Sequence, residues 1–233
     1  MATWASAPSE LIQELGLCLG TREWAAARLA CRHWRAHVTA GITLLELDLE
    51  RSPHRWAMVG GAVRRLFPRL RSAALLVGTR VGAAEFADRM AELALMMDLP
   101  ELELRYVPVA SPRLGSVLAD VSGVAELMCL RVLKLSGGPT PSVDCIQALS
   151  RLRRLSELEV LPGDYGALHS DMLPPNDAAE SPVNYGLTDH HCAPLERLTA
   201  LTSLLIKVKP EAFSSAGLAS LASLPDLRSL VRA

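Results

Sequence analysis

Aromatic residues are scarce in this chain of 233 residues, at 4%, so a core anchored on stacked rings is excluded for most of its length. A charge excess is also lacking: Lys+Arg 24 against Asp+Glu 25 leave a net charge of -1. The basic balance of a general nucleic-acid binder is absent, and a nucleic-acid partner is disfavoured. No apolar run reaches the roughly 18 residues that a membrane span requires. The opening Met1-Ala-Thr-Trp-Ala-Ser has neither a basic n-region nor an apolar h-region. The expected setting is therefore cytoplasmic and/or nuclear, with no membrane partner. Cysteines number five and are scattered, Cys18, Cys31, Cys129, Cys145 and Cys192, with no C-x-x-C pair. That is the usage of reduced intracellular thiols, and no disulfide is expected.

Half of the residues are hydrophobic, enough to bury a sizeable core. Trp4, Trp24 and Trp34, three of the four tryptophans, fall in the first 34 positions. This asymmetry implies two cores, a small one with aromatic anchors and a larger one built on Leu and Ala.

The larger part is repetitive. Leu99-Pro-Glu-Leu102-Glu-Leu104, Leu130-Arg-Val-Leu133-Lys-Leu135, Leu155-Ser-Glu-Leu158-Glu-Val160 and Leu201-Thr-Ser-Leu204-Leu-Ile206 all read L-x-x-L-x-[LIV]. Weaker copies start at Ile42, Leu70 and Leu227. The fourth positions of the copies, 45, 73, 102, 133, 158, 204 and 230, are separated by 28, 29, 31, 25, 46 and 26 residues. L-x-L alternates at period two, which describes a short strand with its leucines on one side. Between strands the spacing turns helical, as in residues 82–97, where Phe86, Met90, Leu93 and Met97 recur three or four apart. One such unit cannot cover its own apolar face, and stacking buries a continuous core under a parallel sheet. A leucine-rich helical bundle is the alternative, but it leaves the L-x-x-L-x-L phase unexplained.

On these motifs the sequence resembles the leucine-rich repeat family over roughly residues 42 to 233, with a period near the family's roughly 20 to 29 residues. The asparagine usual three residues after the last leucine is missing; Val107, Gly138 and Gly163 stand there. The resemblance implies an α/β solenoid, with parallel strands on the concave face and helices on the convex face. The residues between the inward leucines would then line the concave face and meet a protein partner: Glu46, Asp48, Glu101, Glu103, Arg105, Lys134, Glu157, Glu159 and Lys207. By this placement the first strands are acidic and the face turns basic toward Lys207 and Lys209.

The 46-residue gap holds an insertion at about 162–190, dense in Pro, Gly, Asp and Ser, and reads as a long loop, functional or disordered. The chain stops in mid-repeat without a polar cap, as a truncated array would.

Ahead of the repeats, residues 8–19 place Leu11, Ile12, Leu15 and Leu19 on one stripe behind a helix-opening Pro8. Residues 24–35 resume the spacing with Trp24, Ala27, Cys31 and Trp34. A small all-α module over residues 1–40 follows, with the repeat domain over 41–233. Pro8, Leu11, Ile12, Leu15, Leu19, Trp24, Cys31 and Trp34 fall without gaps on a pattern that resembles the F-box. Ala7, Gly20 and Ala30 depart from it, on the contact surface rather than in the helices. The resemblance implies a substrate receptor of a cullin-RING ubiquitin ligase. Pro8, Leu11, Ile12, Leu15, Leu19, Trp24 and Trp34 would bind a Skp-type adaptor and through it a cullin scaffold, and the repeats would recruit a protein substrate. The alternative is a leucine-rich scaffold with no ubiquitin link, whose N-terminal helices only cap the first repeat.

No enzyme is expected, and neither a cofactor nor a metal. Asp189-His190-His191-Cys192 offers ligand types but no metal-site spacing, so its histidines read as solvated loop residues. Gly60-Gly61 and Gly137-Gly138 lie outside any phosphate-loop context and read as turns. Arg64, Arg65, Arg69 and Arg71, with Arg151, Arg153 and Arg154, precede strands and read as a solvated helix face or turn, without interleaved aromatics for base stacking.

Overall fold

A computed structural model describes residues 43–48, 69–78, 83–96, 99–106, 121–138, 140–163, 186–208 and 213–232. Within them lie seven strands: β1 (Leu44–Asp48), β2 (Ser72–Val77), β3 (Glu101–Tyr106), β4 (Val132–Ser136), β5 (Glu157–Leu161), β6 (Ser203–Ile206) and β7 (Ser229–Arg232). They form a single sheet whose spatial order is the chain order, and every pairing is parallel. Parallel neighbours require a crossover between them. The described crossovers contain α1 (Ala83–Met96), α2 (Val143–Leu149), α3 (Cys192–Leu195) and α4 (Ser215–Ala222), with 3-10 helices at Ser122–Glu126 and Asp189–His191. Strand and helix stacked in chain order make an α/β solenoid of repeats.

The register follows the leucine phase. Leu45, Ala73, Leu102, Leu133, Leu158, Leu204 and Leu230, the fourth position of all seven repeat copies, stand side by side across the sheet. One row along, Leu75, Leu104, Leu135, Val160 and Ile206 are in line and buried. Both rows belong to one continuous core that also holds Phe86 and Met90 of α1, Ile146 of α2, Leu195 of α3 and Leu221 of α4. Each fully buried aliphatic side chain of this size stabilises by about 1.5–3 kcal/mol relative to exposure.

The turn that leads into each strand has its own period. Leu149, Leu152 and Leu155 are buried at intervals of three, as are Leu195, Leu198 and Leu201. Their amides bond three residues back, Leu152 N–H to Leu149 O at 2.9 Å and Leu155 N–H to Leu152 O at 3.0 Å, with the same steps from Leu195 to Leu198 and Leu201. A three-residue step turns every third side chain inward and the two between it outward.

The missing asparagines are compensated by backbone. Past the strand ends, Gly137 N–H donates to Leu161 O at 3.0 Å and Gly163 N–H donates to Gly138 O at 2.9 Å. These bonds tie repeats β4 and β5 without a side-chain ladder. Gly137 is at φ 74, in the left-handed region that favours glycine, and a Cβ on Gly138 would run into the Tyr106 ring.

The insertion is shorter than the 162–190 expected. Leu187 pairs in parallel with Val208, and the chain then forms the Asp189–His191 helix of the next crossover. Gly186 N–H donates to Thr140 Oγ1 at 2.7 Å, so the chain re-enters the repeat by residue 186. Leu187, buried at the same end of the strands as Gly163, marks where the inserted stretch returns. Pro8, Leu11, Ile12, Leu15, Leu19, Trp24 and Trp34, expected to contact an adaptor, lie with the whole of 1–40 outside the described residues.

Candidate interaction surface

Alternation along the strands sends one set of side chains into the core and the other onto the face opposite the helices. That open face has three rows in register. The first is Leu44, Ser72, Glu101, Val132, Glu157, Ser203 and Ser229. The second is Glu46, Ala74, Glu103, Lys134, Glu159, Leu205 and Val231. The third is Leu76, Arg105, Ser136 and Leu161, with Lys207 following β6.

The expected face residues therefore do come together. Glu46, Glu101, Arg105, Lys134 and Glu157 are exposed, and Glu103, Glu159 and Lys207 are half-buried. Asp48 keeps its register opposite Leu76, while Lys209 lies outside the described residues.

Arg105 organises the N-terminal part of the face. Its Nε and Nη2 donate to the two carboxylate oxygens of Glu103, both at 2.7 Å, in a bidentate fork. Its Nη1 lies 3.6 Å from Glu46 Oε1. One cation on β3 thus reaches a carboxylate on β1 across the width of β2, where the register position between Glu46 and Glu103 is the small Ala74. The bond from Arg105 holds the Glu103 carboxyl below the usual carboxylate range; partial burial opposes this, and the charges of Arg105 and Lys134 add to it. Lys134 Nζ stands 3.9 Å from Glu159 Oε2, which continues the alternation of charge to β5.

Toward β6 and β7, where a basic turn is expected, Lys207 stands in the third row. The middle row there is Leu205 beside Val231, the latter 49% exposed, so the centre becomes apolar rather than cationic. L-x-x-L-x-I in the sixth copy put Leu205 between two inward residues, and its hydrophobicity concealed that it faces outward.

His191 is not a solvated loop residue. It is 8% exposed, and Nε2 lies 3.1 Å from Pro141 O while Nδ1 lies 3.1 Å from the Thr188 amide nitrogen. The amide must donate to Nδ1 and Nε2 must donate to the carbonyl, which assigns the neutral Nε2–H tautomer. Burial lowers its pKa, against the opposing pull of the Pro141 carbonyl oxygen on Nε2 and the Thr188 carbonyl oxygen, 3.3 Å from Nδ1. Next to it, Asp189 Oδ1 accepts the Ser214 amide at 2.8 Å, and these Ser214 hydrogen bonds hold its carboxyl below the usual range. Gly217 leaves room for that carboxylate, since a Cβ there would collide with Asp189 Oδ1. Cys192 is a buried free thiol, pushed up to about 11 by burial first and by the Asp189 and Glu196 charges after it. The Asp-His-His-Cys run is therefore a packing joint between repeats. Among the described residues no group of three or more His, Cys, Asp or Glu is placed to hold a metal ion. No described helix is long and apolar enough to cross a membrane.

The sequence matches no protein-family model and none of the curated proteins. Among solved structures the chain is similar to an internalin from Listeria monocytogenes str. 4b F2365, with a TM-score of 0.37 and 16% identity. That likeness covers 72% of this chain and 44% of the internalin chain, so the chain spans less than half of the other's length. The repeat architecture itself follows from the strand register and leucine phase of this chain.

Proposed function

We propose that this chain is a protein-interaction scaffold that holds its partner on the open face of the sheet. The observation that carries this reading is the row Glu46, Glu103, Lys134 and Glu159, set in register on a face with no element over it among the described residues. Charges fixed by the register orient an encounter with a partner of complementary pattern. Reversing Glu101, Glu103, Glu157 and Glu159 to Lys together is expected to abolish capture of the wild-type set of partner proteins from lysate while circular dichroism stays unchanged. Unchanged capture with intact folding would exclude this face.

The finer reading is an F-box-type substrate receptor, with the Skp-type adaptor held by residues 1–40 and the substrate by the repeats. It is supported by the motif at Pro8, Leu11, Ile12, Leu15, Leu19, Trp24 and Trp34 directly ahead of the repeats. The chain is then no enzyme; its role is to bring a substrate lysine close to a ligase assembled on the cullin, in the cytoplasm or nucleus. Co-purification of the full chain with a Skp-type adaptor, lost on Pro8→Ala plus Leu11→Ala, is the expected result. Wild-type protein that fails to retain the adaptor would leave the plain scaffold, with the N-terminal helices as a cap.

A further inference from the structure

The edge of the sheet where the chain enters the strands is lined with arginine. The residue just before each strand belongs to one backbone ladder: Arg71 N–H donates to Thr43 O at 2.8 Å, Arg131 N–H to Pro100 O at 2.7 Å, and Arg228 N–H to Thr202 O at 2.9 Å. Arg71, Arg131 and Arg228 therefore occupy equivalent places at β2, β4 and β7, and all three are exposed. The turns that precede the strands add Arg69, Arg153, Arg154 and Arg197, each exposed because the three-residue leucine step sends the intervening side chains outward.

Arg151, in the same turn as Arg153, lies 3.5 Å from Glu126 of the neighbouring repeat. The other seven make no ion pair among the described residues. Glu196 and Asp226 are the remaining exposed acids of these turns, and Glu101 and Glu157 open the strands beside them. Cations still exceed acids, in a chain whose net charge is -1. Arg151 and Arg197 follow helix ends, where a cation complements the helix dipole. That local role does not extend to Arg71, Arg131 and Arg228, which precede strands.

We propose that this edge is a second docking surface, distinct from the open face, for an extended acidic segment of a partner protein. Seven exposed guanidinium groups without ion partners among the described residues suit carboxylates, which the planar fork binds in bidentate fashion. Arg71 and Arg228 are five strand intervals apart, about 24 Å at the usual spacing, a length that about seven to eight extended residues cover. Phe86, Tyr106 and Phe213, the described phenylalanines and tyrosine, are all buried, so none of the described ones is offered at this edge for stacking nucleobases.

The test uses the full chain and a fluorescein-labelled oligoglutamate peptide of about eight residues, with anisotropy read at about 50 mM and about 200 mM salt. Saturable binding that weakens with salt, and that falls about tenfold or more in Arg71→Glu/Arg131→Glu/Arg228→Glu, is the expected result. The open-face control Lys134→Gln should bind within about twofold of wild type. Should the triple variant lose its thermal transition, Arg153→Glu/Arg154→Glu serves instead, with the same direction expected. Absence of binding to wild type, or equal binding by folded edge variants, overturns the proposal. Tighter binding to a DNA duplex than to the peptide overturns its assignment to an acidic protein segment.

Discussion

The imidazole Nε2 of His191 lies 3.1 Å from the carbonyl oxygen of Pro141, fifty residues earlier in the chain. With the Thr188 amide on Nδ1, the ring fastens the point where the chain returns from the insertion to the stretch just ahead of α2. Only the neutral ring can accept at Nδ1 and donate at Nε2 together.

That requirement gives stability a pH dependence. The unfolded imidazole protonates near 6.5, whereas burial lowers the folded value. Above about pH 6.5 both states are neutral, and the contribution of His191 is fully present. As pH falls below that, the unfolded state takes up a proton that the folded state refuses, and stability declines until the folded pKa is passed. The slope from one such proton is at most about 1.4 kcal/mol per pH unit. Urea unfolding between about pH 7.5 and about pH 5 should show a shallower decline for His191→Gln than for wild type. Parallel declines would mean that the ring is not held neutral.

The strand phase is tested by two adjacent residues. Leu133 is 0% exposed between Leu102 and Leu158 in the register, whereas Lys134 is exposed on the other face. Leu133→Ala should cost about 2–5 kcal/mol. Lys134→Ala should cost less than about 0.5 kcal/mol, since its contact with Glu159 is an exposed one. Chemical denaturation of both variants measures the contrast, and equal losses would place the strand in the wrong phase.

The leucine spacing carried most of this fold, because a period-two strand on a period of about 28 residues leaves little freedom of register. Even Ala73 and Leu230, in weak copies, stand in the row with Leu133. What escaped was determined by packing between repeats. His191 reads as a loop residue beside His190, yet a threonine three residues before it and leucines at 187, 195, 198 and 201 were signals of a structured crossover. The arginine edge is not legible in the sequence for a different reason. Sequence order sorted charges from first strand to last, whereas the arginines are sorted along the strand direction, at a fixed offset before each strand. Arg71, Arg131 and Arg228 each stand two residues before the fourth leucine position of their repeats, an alignment that becomes meaningful only once the register is known.

A further packing relationship concerns Gly138 and Tyr106. The Tyr106 ring, 7% exposed, lies so close that a Cβ on Gly138 would collide with Cδ2 and stand 2.8 Å from Cε2. Gly138→Ala should therefore destabilise by about 1–3 kcal/mol through overpacking. Combining it with Tyr106→Leu should recover part of that loss, a non-additivity expected of side chains in contact. Thermal melts of the two single variants and the double variant give the coupling directly, and strict additivity would show that the ring moves aside freely.

The ion-pair line on the open face makes a prediction that does not depend on any partner. Arg105 is the main cause of the low pKa of Glu103, through its bidentate hydrogen bond first and its charge after that, and the charge of Lys134 contributes less. Arg105→Gln should raise the Glu103 titration midpoint, read from its side-chain carboxyl carbon by NMR. Lys134→Gln should raise it by a smaller amount. The stability that follows from the low folded value is present above the unfolded carboxyl pKa and is lost as pH falls through the folded one; because both side chains are partly solvated, that loss is small. Added salt should weaken the Lys134 effect more than the Arg105 effect, because the latter rests on a direct hydrogen bond and the former on charge alone. A Glu103 midpoint unmoved by Arg105→Gln would show that the fork does not persist in solution, and that the open face presents independent charges rather than an ordered line.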